Sequence, residues 1–361
     1  MGKARFLYDN LITDEDMITV SSLRSGMVTT AKKEGEGSAI ISVSGAFSGP
    51  ADLEYLIEID SIDAGAEVAQ ATFKWSDGGS SWNATGVSTS AADILLNNGV
   101  NIRWASGSGA DFVVGDKWYF KGINLFNPSK MINLDRDSVY RSAVLESPNT
   151  IIIDLGANLE AKALILYDHN LTSAATITIE ADVAATFDSA SFGLPQVVET
   201  VTWAAGKILH YLAASATKRY WRLKITDTSN PAGYIEIAEL FLGSYIELTP
   251  SHLEGYSKGF GLLYDSQTTP YGVSRKRFYN RQRNFAYNFE HLISADITLL
   301  ENMIDSIASR STGQLKSFFF NDNSALPDNT WLVDVFDLPE DNKTMGYYNS
   351  SLNFIEVMRS V

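Results

Sequence analysis

The triplet best equipped for chemistry is Asp168-His169-Asn170, which ends the apolar run Ala163 to Tyr167. A carboxylate beside an imidazole can ligate a metal ion or act as a general base. The same three residues also make a strand-ending corner, in which short polar side chains bond the backbone. The corner is the default reading, because His169, His210, His252 and His291 are widely separated and none has the H-x-x-x-H spacing of a zinc helix. Asp135-Arg136-Asp137 and Asp14-Glu15-Asp16 could hold Ca²⁺ with carbonyl help, but neither belongs to an EF-hand series, and solvated loops are the simpler account. With no Cys, the chain has no disulfide, thiol nucleophile or thiolate metal site. No catalytic residue, metal site or cofactor is therefore expected. Acids are plentiful enough for a glycoside hydrolase pair roughly 5 to 10 Å apart, yet no spacing selects one. For glycan binding, the candidate side chains are Asp168, Trp203 and Tyr211.

A second feature is basic. Arg275, Lys276, Arg277, Arg281 and Arg283 fall together with no acid between 275 and 283. Phe285, Tyr287 and Phe289 follow at period two, which puts them on one face of a strand. Three readings compete: a nucleic-acid groove with stacking aromatics, a contact with an acidic neighbour in an assembly, and ordinary solvated strand ends. Net charge is −15, and residues 1–247 hold 30 Asp and Glu against 18 Lys and Arg. Such a surface repels phosphate backbones and anionic membranes, so nucleic acid is not an expected partner. No run of about 18 apolar residues is present, so no membrane insertion is expected, and the chain reads as soluble and made in a cytoplasm.

At 361 residues, length alone favours about two to three domains, and the abundance of Gly, Tyr, Phe and β-branched residues favours a mainly β, multi-domain protein. Ile151 to Leu155 and Ala163 to Tyr167, separated by Gly156-Ala157-Asn158, read as a buried core hairpin. Residues 17–22 look like an opening strand, and 23–39 like a small, polar linker with Gly26, Gly35 and Gly37. Short strands then recur between turn signals from Ala39 to Gly122, with Trp75, Trp82, Trp104 and Trp118 as core anchors. Toward the C-terminus, Ser294 reads as an N-cap, Ile297, Leu300, Ile304 and Ile307 as one helical stripe, and Gly313 as a stop. Strands are expected at Lys316 to Phe320, Trp331 to Phe336 and Leu352 to Val357.

Three resemblances follow. YLIEID, ATFKWSDGGSSW, GVNI and GDKWYF, in that order, resemble a β module of tailed-bacteriophage tail and fibre proteins. With 39–122 set aside, Ser21-Ser22, Asp154-Leu155-Gly156, His169-Asn170-Leu171, Tyr220-Trp221-Arg222 and Ile235-Glu236-Ile237 resemble the discoidin-like, galactose-binding-like jelly roll. RQRNFAYNFEHL, a helix and KSFFFND are similar to the split β-barrel with one helix of distal-tail and tail-tube proteins. The resemblances imply a jelly roll at 1–38 and 123–247, an inserted β-sandwich at 39–122, and a split β-barrel at 248–361 with its helix near 295–310. They further imply a structural virion protein of the distal tail or baseplate, not an enzyme. It would form a symmetric homo-oligomer that contacts other tail proteins through Arg275, Lys276, Arg277, Arg281 and Arg283. A host-surface glycan is the alternative partner.

Overall fold

The computed structural model describes the chain except residues 1–2, 50, 64, 79–80, 191–192, 250–256, 269–273, 310–313, 338–340, 345–346 and 360–361. The described residues are mainly β, with several antiparallel sheets and one α-helix, and no helix among them is long and apolar enough to cross a membrane. The chain divides into two compact units: Met1–Val20, Met131–Val139 and Leu145–Val361 form one, Ser21–Lys130 and Tyr140–Val144 the other.

The first unit contains the largest departure from sequence expectation. Residues 149–169 are not a hairpin but one strand, Asn149–His169, which pairs along nearly its whole length with the similarly long Lys207–Thr226. Two apolar runs with a Gly-containing break mimic a hairpin, but their backbone bonds go to Lys207–Thr226, whose first residue lies 40 positions after Tyr167. The break is an irregularity in the ladder between Asp154 and Leu159. There Gly156 takes φ 71°, open to a residue without a Cβ, and donates its N–H to the Asp154 carboxylate at 2.9 Å. Exposed residues 156–160 separate two buried halves. Ile18–Val20 pairs with Ile151–Ile153, as the sequence expects, while Glu236–Gly243 pairs with the second half. Thr176–Asp182 and Val197–Val201 extend the sheet on the far side of Lys207–Thr226.

A second sheet in this unit has eight strands, including Arg5–Leu7, Ile246–Glu247, Ser257–Thr268, Ser274–Leu292, Phe318–Asn321, Thr330–Asp337 and Tyr347–Glu356. Arg5–Leu7 pairs with Ile246–Glu247 and Phe318–Asn321, so these first residues belong to the C-terminal sheet and not to the jelly roll. Phe285, Tyr287 and Phe289 all face inward, as period two demands. They pack with Phe6, Phe318, Phe320, Trp331 and the helix Ser294–Ile307. The helix buries Ile297, Leu300, Met303 and Ile307. Ser294 is its first residue; the N-cap is Ile293, whose N–H is bonded by the Asp296 carboxylate at 3.0 Å. Gly313 lies outside the described residues.

In the second unit, the segment read as a linker forms strands: Met27–Val28 and Lys32–Glu34 pair with Lys117–Ile123. Val28 and Ala31 pack against the core of this unit, while Lys32–Glu34 is a short charged strand of the kind sheet edges favour. Trp75, Trp104 and Trp118 are buried with Tyr55, Phe73 and Phe120. Trp82 is not an anchor: it is 37% exposed, with the Lys74 ammonium 4.4 Å above its ring.

Candidate functional site: a cation-rich seam

The jelly-roll sheet and the C-terminal sheet share a small core of Leu7, Ala163, Ile165, Tyr167, Leu209, Phe241, Phe319 and Leu332. The strand order brings charged side chains to its rim. Asp168 follows Tyr167 with φ 50°, where the strand Asn149–His169 ends. Its carboxylate takes two bonds from Arg136, Nε at 2.6 Å and a terminal nitrogen at 3.1 Å. The other terminal nitrogen of Arg136 donates to the Val357 carbonyl at 2.6 Å and stands 3.7 Å from Glu356, while the guanidinium lies 5.0 Å from the Tyr167 ring centre. A fork so fully engaged fixes the geometry of both side chains.

Beside it, Lys207 opens the strand Lys207–Thr226. Its ammonium donates to the Thr330 carbonyl and lies 4.9 Å from the Trp331 ring centre. Burial and the nearby Arg283 cation push its pKa down to about 8. Among the described residues, no carboxylate forms an ion pair with it. Lys258 reaches the same ring at 4.8 Å and bonds Asp322; Arg283 stands 5.8 Å from the ring and 3.4 Å from Glu356. Three cations thus surround one indole, whose face attracts each of them. The carboxylates nearby are shared: Glu356 serves Arg136 and Arg283, and Asp322 serves Lys258 and the Tyr287 hydroxyl.

The other sequence candidates do not converge here. Tyr211 meets Tyr245 edge to face, the Arg5 guanidinium lies 4.1 Å from each ring, and the Tyr211 hydroxyl bonds Asn321 at 3.2 Å. Trp203 donates its indole N–H to the Leu171 carbonyl at 3.0 Å. Asp168, Trp203 and Tyr211 thus each bond a different part of the structure. His169 accepts the Leu171 N–H at 3.2 Å, and burial lowers its pKa to about 4, so the corner reading describes it. Arg281 lies 4.9 Å from the Phe260 ring, and Arg277 is exposed. The side chains of Arg275 and Lys276 lie outside those described.

The carboxyl with the most perturbed environment is Glu239, pushed up to about 9 by burial and then by Asp135. At 1% exposure it has no path to a substrate, so its neutral form is structural. The acidic loops are used internally: Asp14 accepts the Asp16 N–H at 2.9 Å and Asp135 the Asp137 N–H at 3.1 Å. Among the described residues, no group of three or more His, Asp or Glu could hold a metal ion. Lys207 and Trp331 carried no sequence signal as a site. A lone Lys at a strand start and a Trp in a core strand are ordinary until the fold brings them together.

No family model matches the chain, and no curated protein matches it. Among solved structures it is similar to a Ruminococcus gnavus GH29 fucosidase, with 12% identity over 35% of this chain and 23% of that one, at TM-score 0.27. It is also similar to chitosan-binding module 1 of a Paenibacillus sp. IK-5 chitosanase/glucanase, with 18% identity, 33% and 86% coverage, and TM-score 0.26. A third is the lectin domain of Lectinolysin, complexed with Lewis B antigen, with 16% identity, 32% and 83% coverage, and TM-score 0.25. The chain thus spans about a quarter of the fucosidase's length.

Proposed function

We propose that the chain is a non-catalytic binding and assembly protein, in which the C-terminal sheet joins protein partners and the jelly roll is offered to a surface glycan. One observation carries the assembly part. Ser257–Thr268 ends the C-terminal sheet, and the hairpin it makes with Ser274–Leu292 exposes Phe260, Leu262 and Phe278 at 54%, 61% and 59%. An open edge with bulky apolar side chains is a template for pairing with another chain, and soluble proteins normally cover one. The finer placement, a homo-oligomeric ring at the distal tail or baseplate of a tailed phage, rests on the motif order in the sequence. Native mass spectrometry of the full chain tests the assembly part: discrete oligomers are expected, and a strict monomer at all micromolar concentrations overturns it.

Glycan recognition has its own supporting feature, a loop shaped in advance at one end of the jelly-roll sheet. The fully buried Asp182 carboxylate accepts N–H groups from Val183 at 2.6 Å, Ala184 at 3.3 Å and Ser189 at 2.9 Å. Beside it Arg222 lies 4.2 Å from the Phe187 ring and pairs with Glu180. Preorganised polar loops suit sugar hydroxyls. A glycan array should show saturable binding that Arg222→Ala weakens; an array without binding at millimolar glycan removes this part.

A further inference from the structure

The open strand and the cation-rich seam are one surface. Lys258, Phe260 and Leu262 alternate along Ser257–Thr268 and so share one face of it. Lys258 stands over Trp331, and Phe260 lies 4.9 Å from Arg281 and 5.6 Å from Arg283. A chain that pairs with the free edge places every second side chain on this face, first against Phe260 and Leu262 and then against the cations around Trp331.

We propose that this surface takes an extended acidic segment of a partner protein, which adds to the edge of Ser257–Thr268 and sets a carboxylate against Lys207, Lys258 and Arg283. The inference rests on the assembly reading above and names the chemistry of its partner. Charge argues for it. The seam gathers Arg136, Lys207, Lys258 and Arg283, with Arg281 beside Phe260, against the carboxylates Asp168, Asp322, Asp328 and Glu356, within a chain of net charge −15. Among the described residues, the direct contacts of the Lys207 ammonium are a carbonyl and an aromatic face, although a half-buried ammonium is best stabilised by an anion in contact with it. Burial holds its pKa down, and the charges of Glu356 and Asp328 offset only part of that. Lys258 and Arg283 keep 32% and 44% of their side chains exposed, so the seam is open to solvent from the hairpin side. Backbone pairing selects a peptide, since a free anion makes no use of the strand edge.

The test uses the full chain and three probes in calorimetry: a short peptide alternating Glu with Thr and Val, the same peptide with Lys for Glu, and inorganic phosphate. The acidic peptide is expected to bind saturably, more weakly as salt rises, and the lysine peptide not to bind. Lys207→Met should weaken the acidic peptide by about tenfold or more, as removal of a desolvated charge partner does. Arg283→Gln, at a half-exposed side chain with little risk to folding, should weaken it by a smaller factor. Absence of acidic-peptide binding overturns the proposal. So does equal binding by phosphate with no further gain from the peptide, or affinity unchanged in both variants. A chain that forms oligomers yet fails these tests keeps the assembly reading and loses this one; a monomer that binds the acidic peptide does the reverse.

Discussion

Two long antiparallel pairs dominate the first unit, and they differ in what covers them. Asn149–His169 with Lys207–Thr226 is flanked by Glu236–Gly243 on one side and Thr176–Asp182 on the other. Ser257–Thr268 with Ser274–Leu292 is flanked by Tyr347–Glu356 on one side and ends the sheet on the other. In the first pair Ile165 and Leu166 are fully buried; in the second, Leu262 is 61% exposed. Similar strand geometry thus serves stability in one place and leaves surface for contact in the other. The largest effect expected from the comparison is a split response to truncation. Ile165→Ala should cost about 2 to 5 kcal/mol in urea unfolding, because it opens a cavity in the shared core. Leu262→Ala should stay within roughly 0.5 kcal/mol. Equal losses at both positions would mean that the hairpin is covered within the same chain.

Glu239 sharpens the picture of the covered pair, since it sits opposite Tyr167 in the ladder. Its carboxyl keeps its proton to about pH 9 when folded, against an ordinary value of 4.5. A raised acid contributes stability that is complete below pH 4.5 and is lost as pH climbs toward 9. At pH 7 the loss is roughly 3 kcal/mol. Glu239→Gln should therefore flatten stability between pH 5 and pH 9 and raise it at the upper end. Unfolding curves at the two pH values check this; an unchanged pH slope would show the carboxyl to be ionised and paired. Burial has the opposite consequence for His169, lowered from 6.5 to about 4, whose contribution is lost as pH falls through that interval.

A smaller loss is expected at the rim of the shared core. Asp168→Ala leaves the Arg136 guanidinium, 13% exposed, with Glu356 and a carbonyl as its remaining acceptors. A fully buried partner loss costs about 3 to 5 kcal/mol, and the partial exposure of both groups brings this one to about 2 kcal/mol. Asp168→Asn should recover part of it through one retained hydrogen bond. If glycan affinity falls without any loss of stability, Asp168 is a ligand group after all.

Strand positions were legible in the sequence because burial writes its own period, as at Phe285, Tyr287 and Phe289. Pairing was not, because a ladder bond between Ile153 and Trp221 leaves no local mark. That is why a single strand reads as a hairpin there, and why residues 27–34, whose strands of two and three residues are too short to show a period, read as a linker. The basic hairpin was legible as a cluster of like charges, and Arg283 does lie in the seam. Its partners were not: Lys207 comes from the jelly roll and Trp331 from a core strand, and only the contact between sheets unites them.

The smallest expected change in stability is also the one that separates cover from contact most cleanly. Leu262→Ser removes an exposed apolar side chain from a terminal strand, so urea unfolding should move by no more than roughly 0.5 kcal/mol. The strand keeps its ladder to Ser274–Leu292, because the substitution touches no backbone group. If the hairpin is a contact surface, the same variant should lower the mass of the assembled species in native mass spectrometry, through loss of apolar area at the junction between copies. Phe260→Ser should act in the same direction and more strongly, since it also removes the ring against which Arg281 and Arg283 lie. Assembly untouched by both changes would place the protein contact elsewhere and leave the open edge to be guarded by its own arginines, whose charge disfavours edge-to-edge pairing.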